Sequence, residues 1–143
     1  PTTESSTEAA LLARAASLVA TDGPLAGWAV AWPNLSFTPP ASKQYLRVSH
    51  MPNRNRRLFI GSTDPHQRQG ILQIDVFCPL NMRGGSAPAM EFAGKVAAHF
   101  RTDLHLAKDG VKVRIVKAPD VTPAFPTDTH WHVPVTIEYE LGA

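Results

Sequence analysis

"HWHVPVTIEYEL", residues 130–141, alternates apolar and polar side chains more cleanly than any other stretch of the chain. Trp131, Val133, Val135, Ile137, Tyr139 and Leu141 fall on one face of a strand, and His132, Pro134, Thr136, Glu138 and Glu140 on the other. A strand with a single apolar face belongs to a sheet covered on one side, which points to largely antiparallel pairing. Pro134 has no N–H to give to a ladder. The strand is therefore either at an edge or placed so that this donor is not needed.

Working back along the chain, the same period recurs. "GILQIDVFCPL" (residues 70–80) puts Leu72, Ile74, Val76 and Cys78 on one face and stops at Pro79. "QYLRVSHM" (44–51) puts Leu46 and Val48 on one side, with His50 at the end of that row, and Tyr45, Arg47 and Ser49 on the other. "RLFI" (57–60) reads as a shorter strand. "LHLAKDGVKVRIVKAP" (104–119) reads as a hairpin turning at Lys108, Asp109 and Gly110, since Asp-Gly suits the tight turns that join antiparallel strands. Residues 28–32 form a short extended piece, and residues 32–40, rich in proline, a polyproline-like strap.

Two segments carry the helical period instead. "SSTE" (5–8) fits a capping box between Ser5 and Glu8, followed by a stripe of Leu11, Leu12, Ala15, Leu18 and Val19 that ends at "TDGP" (21–24). Ser86 caps a second helix with Pro88 in its first turn. Ala89, Phe92, Ala93, Val96 and Phe100 form its buried stripe, and Glu91 and Lys95 an i,i+4 pair on the wet side. Strands come in blocks rather than in βα alternation. The expected fold is α+β: a mainly antiparallel or mixed β-sheet, two amphipathic helices packed on one face, and a projecting β-hairpin or loop. A length of 143 residues makes residues 1–143 one domain.

Composition narrows the function classes. An apolar fraction of 43% and a charged fraction of 18% describe a soluble globular chain. No apolar run reaches the length of a membrane span, and no basic-then-apolar leader is expected at the N-terminus. Cys78 is the single cysteine, so a disulfide framework within one chain is excluded and a reducing cytoplasm is the simplest place of assembly.

The chemistry-bearing patterns are sparse. Neither G-x-x-x-x-G-K-[ST], nor G-x-G-x-x-G, nor a G-x-S-x-G elbow occurs. "RGGSAP" (83–88) leads into a helix N-terminus, where an anion can bind, but its plainer reading is a strand-to-helix turn. Cys78 lies in an apolar row beside Pro79 and reads as a buried thiol rather than a nucleophile. His130 and His132 project from one strand face and would need a third metal ligand; His66 and Glu138 are within conceivable reach, yet spacing marks neither. Two solvated histidines are the expectation there. Asp75, beside Gln73, is expected to pair with a basic strand neighbour such as Arg47. No catalytic, cofactor-binding or metal residue is assigned, and the chain is not read as an enzyme.

Charge is distributed unevenly. From residue 43 to 68 there are six basic residues (Lys43, Arg47, Arg54, Arg56, Arg57, Arg68) against one acid (Asp64), a net +5; the remainder carries eight basic and eleven acidic groups, a net −3. The centre of this asymmetry is "MPNRNRRLFIGSTDPHQRQG" (51–70). Such a segment serves as a solvated loop, a protein contact or a phosphate contact. The stacking aromatics of single-strand binders and the signatures of known nucleic-acid modules are missing around it.

The ordered series of motifs resembles the phage tail terminator-like family of long-tailed bacteriophages. Trp32, Pro33, Asn34, Phe37, Pro39 and Pro40 match its strap. Tyr45, Leu46, Arg47 and Val48 match a strand. Gly61, Ser62, His66 and Gly70 match a connection, and Gln73, Asp75, Val76 and Phe77 match a further strand; "VPVTIEYE" (133–140) matches the closing strand. The resemblance implies a non-enzymatic virion protein at the head-proximal end of the tail. It would form a ring, commonly hexameric, that caps the tail tube, stops its polymerisation and docks on the head-tail connector, with DNA only as cargo in its channel. It would need no cofactor and touch no membrane. The candidate assembly-contact residues are Arg47, Arg54, Arg56, Arg57, His66 and Arg68. A neighbouring neck or tail-completion role, and a small nucleic-acid or anion-binding module, are the alternatives.

Overall fold

The computed structural model describes residues 1–53, 56–57 and 66–141. Helix α1 runs Thr3–Leu18. Its capping box sits three residues earlier than the sequence suggests. Thr2 Oγ1 accepts from the Ser5 amide at 3.1 Å, and Ser5 Oγ accepts from the Thr2 amide at 3.0 Å. Ser5 thus occupies the third helical position rather than the cap, and Glu8 is freed for another contact. The helix ends in a tight return: Leu25 N–H donates to Leu18 O at 2.9 Å and Gly27 N–H to Val19 O at 3.2 Å. Gly23 is required in this return, because a Cβ there would lie 2.3 Å from both the Leu18 and Ser17 carbonyl oxygens.

Two long strands make the centre of the sheet: β5 (Gln69–Pro79) and β10 (His130–Leu141), antiparallel along eleven residue pairs from Gln69↔Glu140 to Pro79↔His130. Outside β5 lies β2 (Tyr45–Pro52), antiparallel, and outside that β1 (Ala29–Ala31), parallel to β2. Outside β10 its C-terminal end pairs with β7 (Val111–Ile115), and β7 with β6 (His105–Lys108). The β6–β7 turn has Asp109 at φ 49° and Gly110 at φ 81°, the left-handed pair that a two-residue hairpin demands. The N-terminal half of β10 pairs with two short strands, β8 (Asp120–Val121) and β9 (Phe125–Pro126). A separate two-stranded ladder, β3 (Arg56–Arg57) with β4 (His66–Gln67), extends the β2–β5 hairpin past the sheet. The fold is the expected α+β one, with a mixed eight-stranded sheet.

Pro134 is not at an edge. Its carbonyl accepts from Thr122 N–H at 3.0 Å and from Thr122 Oγ1 at 3.1 Å. A residue's N and O point to the same side of a strand, so the Pro134 nitrogen faces the gap between β8 and β9, where no ladder asks for a donor.

Helix α2 (Ala87–His99) lies over β10, β5 and β8, and α1 over β6, β7 and the end of β2. Between helices and sheet, Leu11, Leu18, Leu72, Ile74, Val135 and Ile137 are wholly buried. Cys78 belongs to this core at 1% exposure, and burial pushes its thiol up to about 11, which keeps it protonated and inert. Two local expectations fail. Ser86 takes the N-cap position of α2, but its side chain makes no capping hydrogen bond. Lys95 lies 5.9 Å from the Phe92 ring centroid, and the expected ion pair with Glu91 is not formed. No described helix is long and apolar enough to cross a membrane.

The helices are fastened to each other by polar groups. The Arg14 guanidinium donates to the His99 carbonyl from Nε (3.0 Å) and Nη2 (2.7 Å), satisfying the end of α2. Ser17 Oγ–H donates to Arg14 O at 2.5 Å, so it accepts from His99 Nε2–H at 2.6 Å. Burial, then the charge of Arg14, holds the His99 imidazole below its ordinary 6.5. The unfolded chain therefore binds this proton at a pH where the native one does not, and stability rises with pH across that interval. The expected result is a loss of stability that begins as pH falls through 6.5 and continues to the depressed native value. Thermal melts from about pH 7.5 to about pH 5.5 should have a shallower pH slope in His99→Gln, which keeps the donor without the titration. Equal slopes in the two proteins would refute it.

Candidate functional site

The basic segment begins where the β2–β5 ladder runs off the sheet. The last sheet pair is Pro52↔Gly70; one step further, Asn53 N–H donates to Gln69 O at 2.9 Å. The chain then continues through Arg56↔Gln67 and Arg57↔His66. A two-strand arm follows from the length mismatch: β10 stops pairing with β5 at Gln69, whereas the β2–β5 hairpin goes on into the β3–β4 ladder.

The root of the arm is held by α1 and β10. Arg68 Nη1 donates to Glu4 Oε1 at 2.5 Å, and Leu141 N–H to Arg68 O at 2.9 Å. The helix N-terminal amide first, then Arg68, keep the Glu4 carboxyl below its ordinary 4.5. Beside it, three side chains form a chain of hydrogen bonds. His50 Nδ1–H donates to Glu8 Oε1 at 2.9 Å, and Tyr139 Oη–H donates to His50 Nε2 at 2.6 Å. Burial, then the charge of Glu8, raise the Tyr139 phenol to about 12. A phenol so shifted is a donor at neutral pH, not a nucleophile. The triad is a clamp joining α1, β2 and β10, above a cavity of about 160 Å³ lined by Thr3, Glu4, Thr7, His50, Arg68 and Tyr139.

Gly70 makes the clamp possible. A Cβ on it would come 2.5 Å from Tyr139 Oη and 3.0 Å from Met51 O. Gly70→Ala is expected to displace the phenol, break its bond to His50 and destabilise the protein by about 1–3 kcal/mol. Urea unfolding measures the loss, and an unchanged midpoint would contradict the packing described.

The sheet face away from the helices carries the second polar set. Asp75 is 4% exposed, and its Oδ1 accepts from His132 Nε2–H at 2.8 Å and Gln73 Nε2 at 2.9 Å. Arg47 stands opposite Asp75 in register but is not among its partners; the buried carboxylate is satisfied by His132, which stacks on Phe77 at 4.2 Å between centroids. The expected Arg47–Asp75 pair is thus replaced. The two histidines do share a face, yet they are not solvated. His130 is 1% exposed; its Nε2–H donates to Lys43 O at 2.9 Å, Thr129 Oγ1 hydrogen-bonds Nδ1 at 2.7 Å, and the ring meets Tyr45 edge-on at 5.0 Å. Tyr45, itself under Phe37 of the strap, covers His130 together with Phe77, and Phe77 and Phe125 cover His132. Among the described residues no group of three His, Cys, Asp or Glu side chains is disposed to hold a metal ion.

The chain so described, a sheet with both helices on one face, a strap on the other and a two-strand arm, has a family match and a structural match. The sequence model described as "Phage tail terminator protein" covers residues 6–139. The chain belongs to the phage tail terminator protein family. A solved chain of 26% identity superposes with a TM-score of 0.75, covering 98% of this chain and 96% of that one. No curated protein matches. Membership assigns a structural role in a bacteriophage tail, as a component of the virion.

Against this tail terminator fold the candidate contact residues separate. Arg68 sits at the arm root, engaged with Glu4, and Arg47 is exposed on the outer sheet face. Arg56, Arg57 and His66 lie on the arm's ladder, while Arg54 and most of the "RLFI" strand lie outside the described residues. Glu8 and Tyr139 are parts of the arm root that the sequence reading assigned to a helix cap and to the core. The available signal was His50, a polar residue ending the apolar row of Leu46 and Val48, which requires buried partners.

Proposed function

We propose that this chain terminates the phage tail. It forms a closed ring, commonly hexameric in such an assembly, on the head-proximal end of the tail tube. The ring stops addition of tube protein and offers its other side to the head-tail connector, and DNA passes through the channel as cargo. The protein works by contact, without catalysis or cofactor. The reading rests chiefly on the family match across residues 6–139. A ring of identical subunits joined head to tail needs two different complementary patches. The net +5 of residues 43–68 against the net −3 of the remainder supplies the charge for such a pair.

Negative-stain imaging of the purified protein mixed with tail tubes tests this. Rings seated on tube ends, and over-long tubes when the protein is withheld, are expected. Free tube ends with unregulated length despite saturating protein would rule the function out.

A further inference from the structure

The sheet has an edge that its own strands leave open. β1 pairs with β2 only from Tyr45 to Arg47. The chain then turns away into the strap, with Leu35 N–H on the Trp32 carbonyl at 3.3 Å and Asn34 at φ 56°. The Asn53 amide faces β5, through Gln69 O, and this sets the alternation along β2: odd-numbered residues direct their amides and carbonyls to β5, even-numbered ones away from it. Past the end of β1, the carbonyl of Val48 and both main-chain groups of His50 therefore point outward. Exposure agrees. The His50 side chain is 5% exposed while the residue as a whole is half-buried, so what His50 presents to solvent is main chain.

The space beside this edge is a wedge of about 370 Å³ between β2 and the strap, lined among others by Trp32, Asn34, Leu35, Arg47, Ser49 and His50. Among the described residues no carboxylate lines it. Leu35 stands at its rim, 67% exposed, and Arg47 is exposed with no ion pair. We propose that the open edge of β2 takes up an extended acidic segment of another protein as an added strand. Main-chain groups spaced two residues apart are what such a segment pairs with, and side chains on either side of it confer selectivity. Arg47 meets a carboxylate of the segment, and Leu35 covers an apolar side chain. Pro52, with no N–H, ends the register. The occupant is not the arm of a second copy, since Arg54, Arg56 and Arg57 carry the wrong sign for a wedge whose one full charge is Arg47.

The test uses the full chain and an array of ten-residue peptides with Glu, Lys or Ser at every second position and varied apolar residues between. Glu peptides are expected to be captured, with Kd below about 1 mM, and Lys peptides not. For the best Glu peptide, N-methylation of one alternate set of amides should weaken binding at least about tenfold and of the other set much less, the signature of strand pairing. Arg47→Glu lies on the surface and should fold normally, yet lose the Glu peptides about tenfold and gain the Lys ones. Capture that ignores peptide charge, no capture at all, or equal effects of both N-methyl sets overturns the proposal. So does concentration-dependent self-association abolished by Arg47→Glu, which would make the edge a contact between copies of this chain.

Discussion

Replacing Arg54, Arg56 and Arg57 together with alanine is expected to leave a folded monomer that no longer caps tail tubes. The three side chains are half of the six basic residues in the positive segment, and their loss takes it from net +5 to net +2. Contacts between oppositely charged patches steer association and fix register, so their removal lowers both the rate and the extent of assembly. The monomer is spared because β3 and β4 form a ladder of their own, outside the eight-stranded sheet. The sheet, the helices and the Glu8–His50–Tyr139 clamp hold without them. Electron microscopy of tube ends should show occupancy falling at least about tenfold at a protein concentration that saturates ends with the unaltered chain. Circular dichroism and the melting temperature should stay unchanged. Normal capping by the triple variant would remove the arm from the assembly surface; a lost fold would mean that the arm is part of the core.

The second large effect concerns the core. Phe100→Ala should cost about 3–5 kcal/mol. Phe100 is fully buried, at the residue that closes α2, and belongs to the same cluster as Leu11, Leu18 and Ile137. Removing its ring leaves a void in a core whose two helices are already tied together by Arg14 and His99, so little collapse can relieve it. For a domain of this size the melting temperature should drop on the order of 10 °C. Urea unfolding with an unchanged slope and a lower midpoint would identify a stability change; a loss under about 1.5 kcal/mol would mean that the site collapses or that the ring is not enclosed.

Where periodicity governs, the sequence reading located the elements well. The alternation of residues 133–141 sets β10, the row of Leu72, Ile74, Val76 and Cys78 sets β5, and Asp109-Gly110 sets the β6–β7 turn. Of the helical stripes, Leu11, Ala15, Leu18, Ala89, Ala93, Val96 and Phe100 are buried as their spacing requires, and Leu12, Val19 and Phe92 are half-buried at the margins. Elements governed by long-range contact were not legible. β8 and β9 are two residues each, too short for any period, and exist because β10 offers them an edge. The α1 cap moved from Ser5 to Thr2 because both residue types suit the position and only the helix's packing chooses between them. His130 and His132 read as wet, since nothing local reveals that the strap lays Phe37 over Tyr45 or that Asp75 needs a donor. Of the candidate site, the charge segment was visible and its anchorage was not, because Glu4, Glu8 and Tyr139 reach it from opposite ends of the chain.

Pro134 also matters before the chain has folded. "VPVTIEYE" (133–140) combines β-branched and aromatic residues in a window that, without its proline and two glutamates, would have the composition of a self-stacking fibril segment. β10 is the longest described strand and follows β5, β7, β8 and β9 in the chain, and until they flank it both of its edges are bare. A missing N–H in its middle, with Glu138 and Glu140 repelling their counterparts on a neighbouring copy, interrupts intermolecular cross-β stacking. In the native sheet that same gap costs nothing, since it coincides with the break between β8 and β9. The chain thereby carries its own protection against fibrillation.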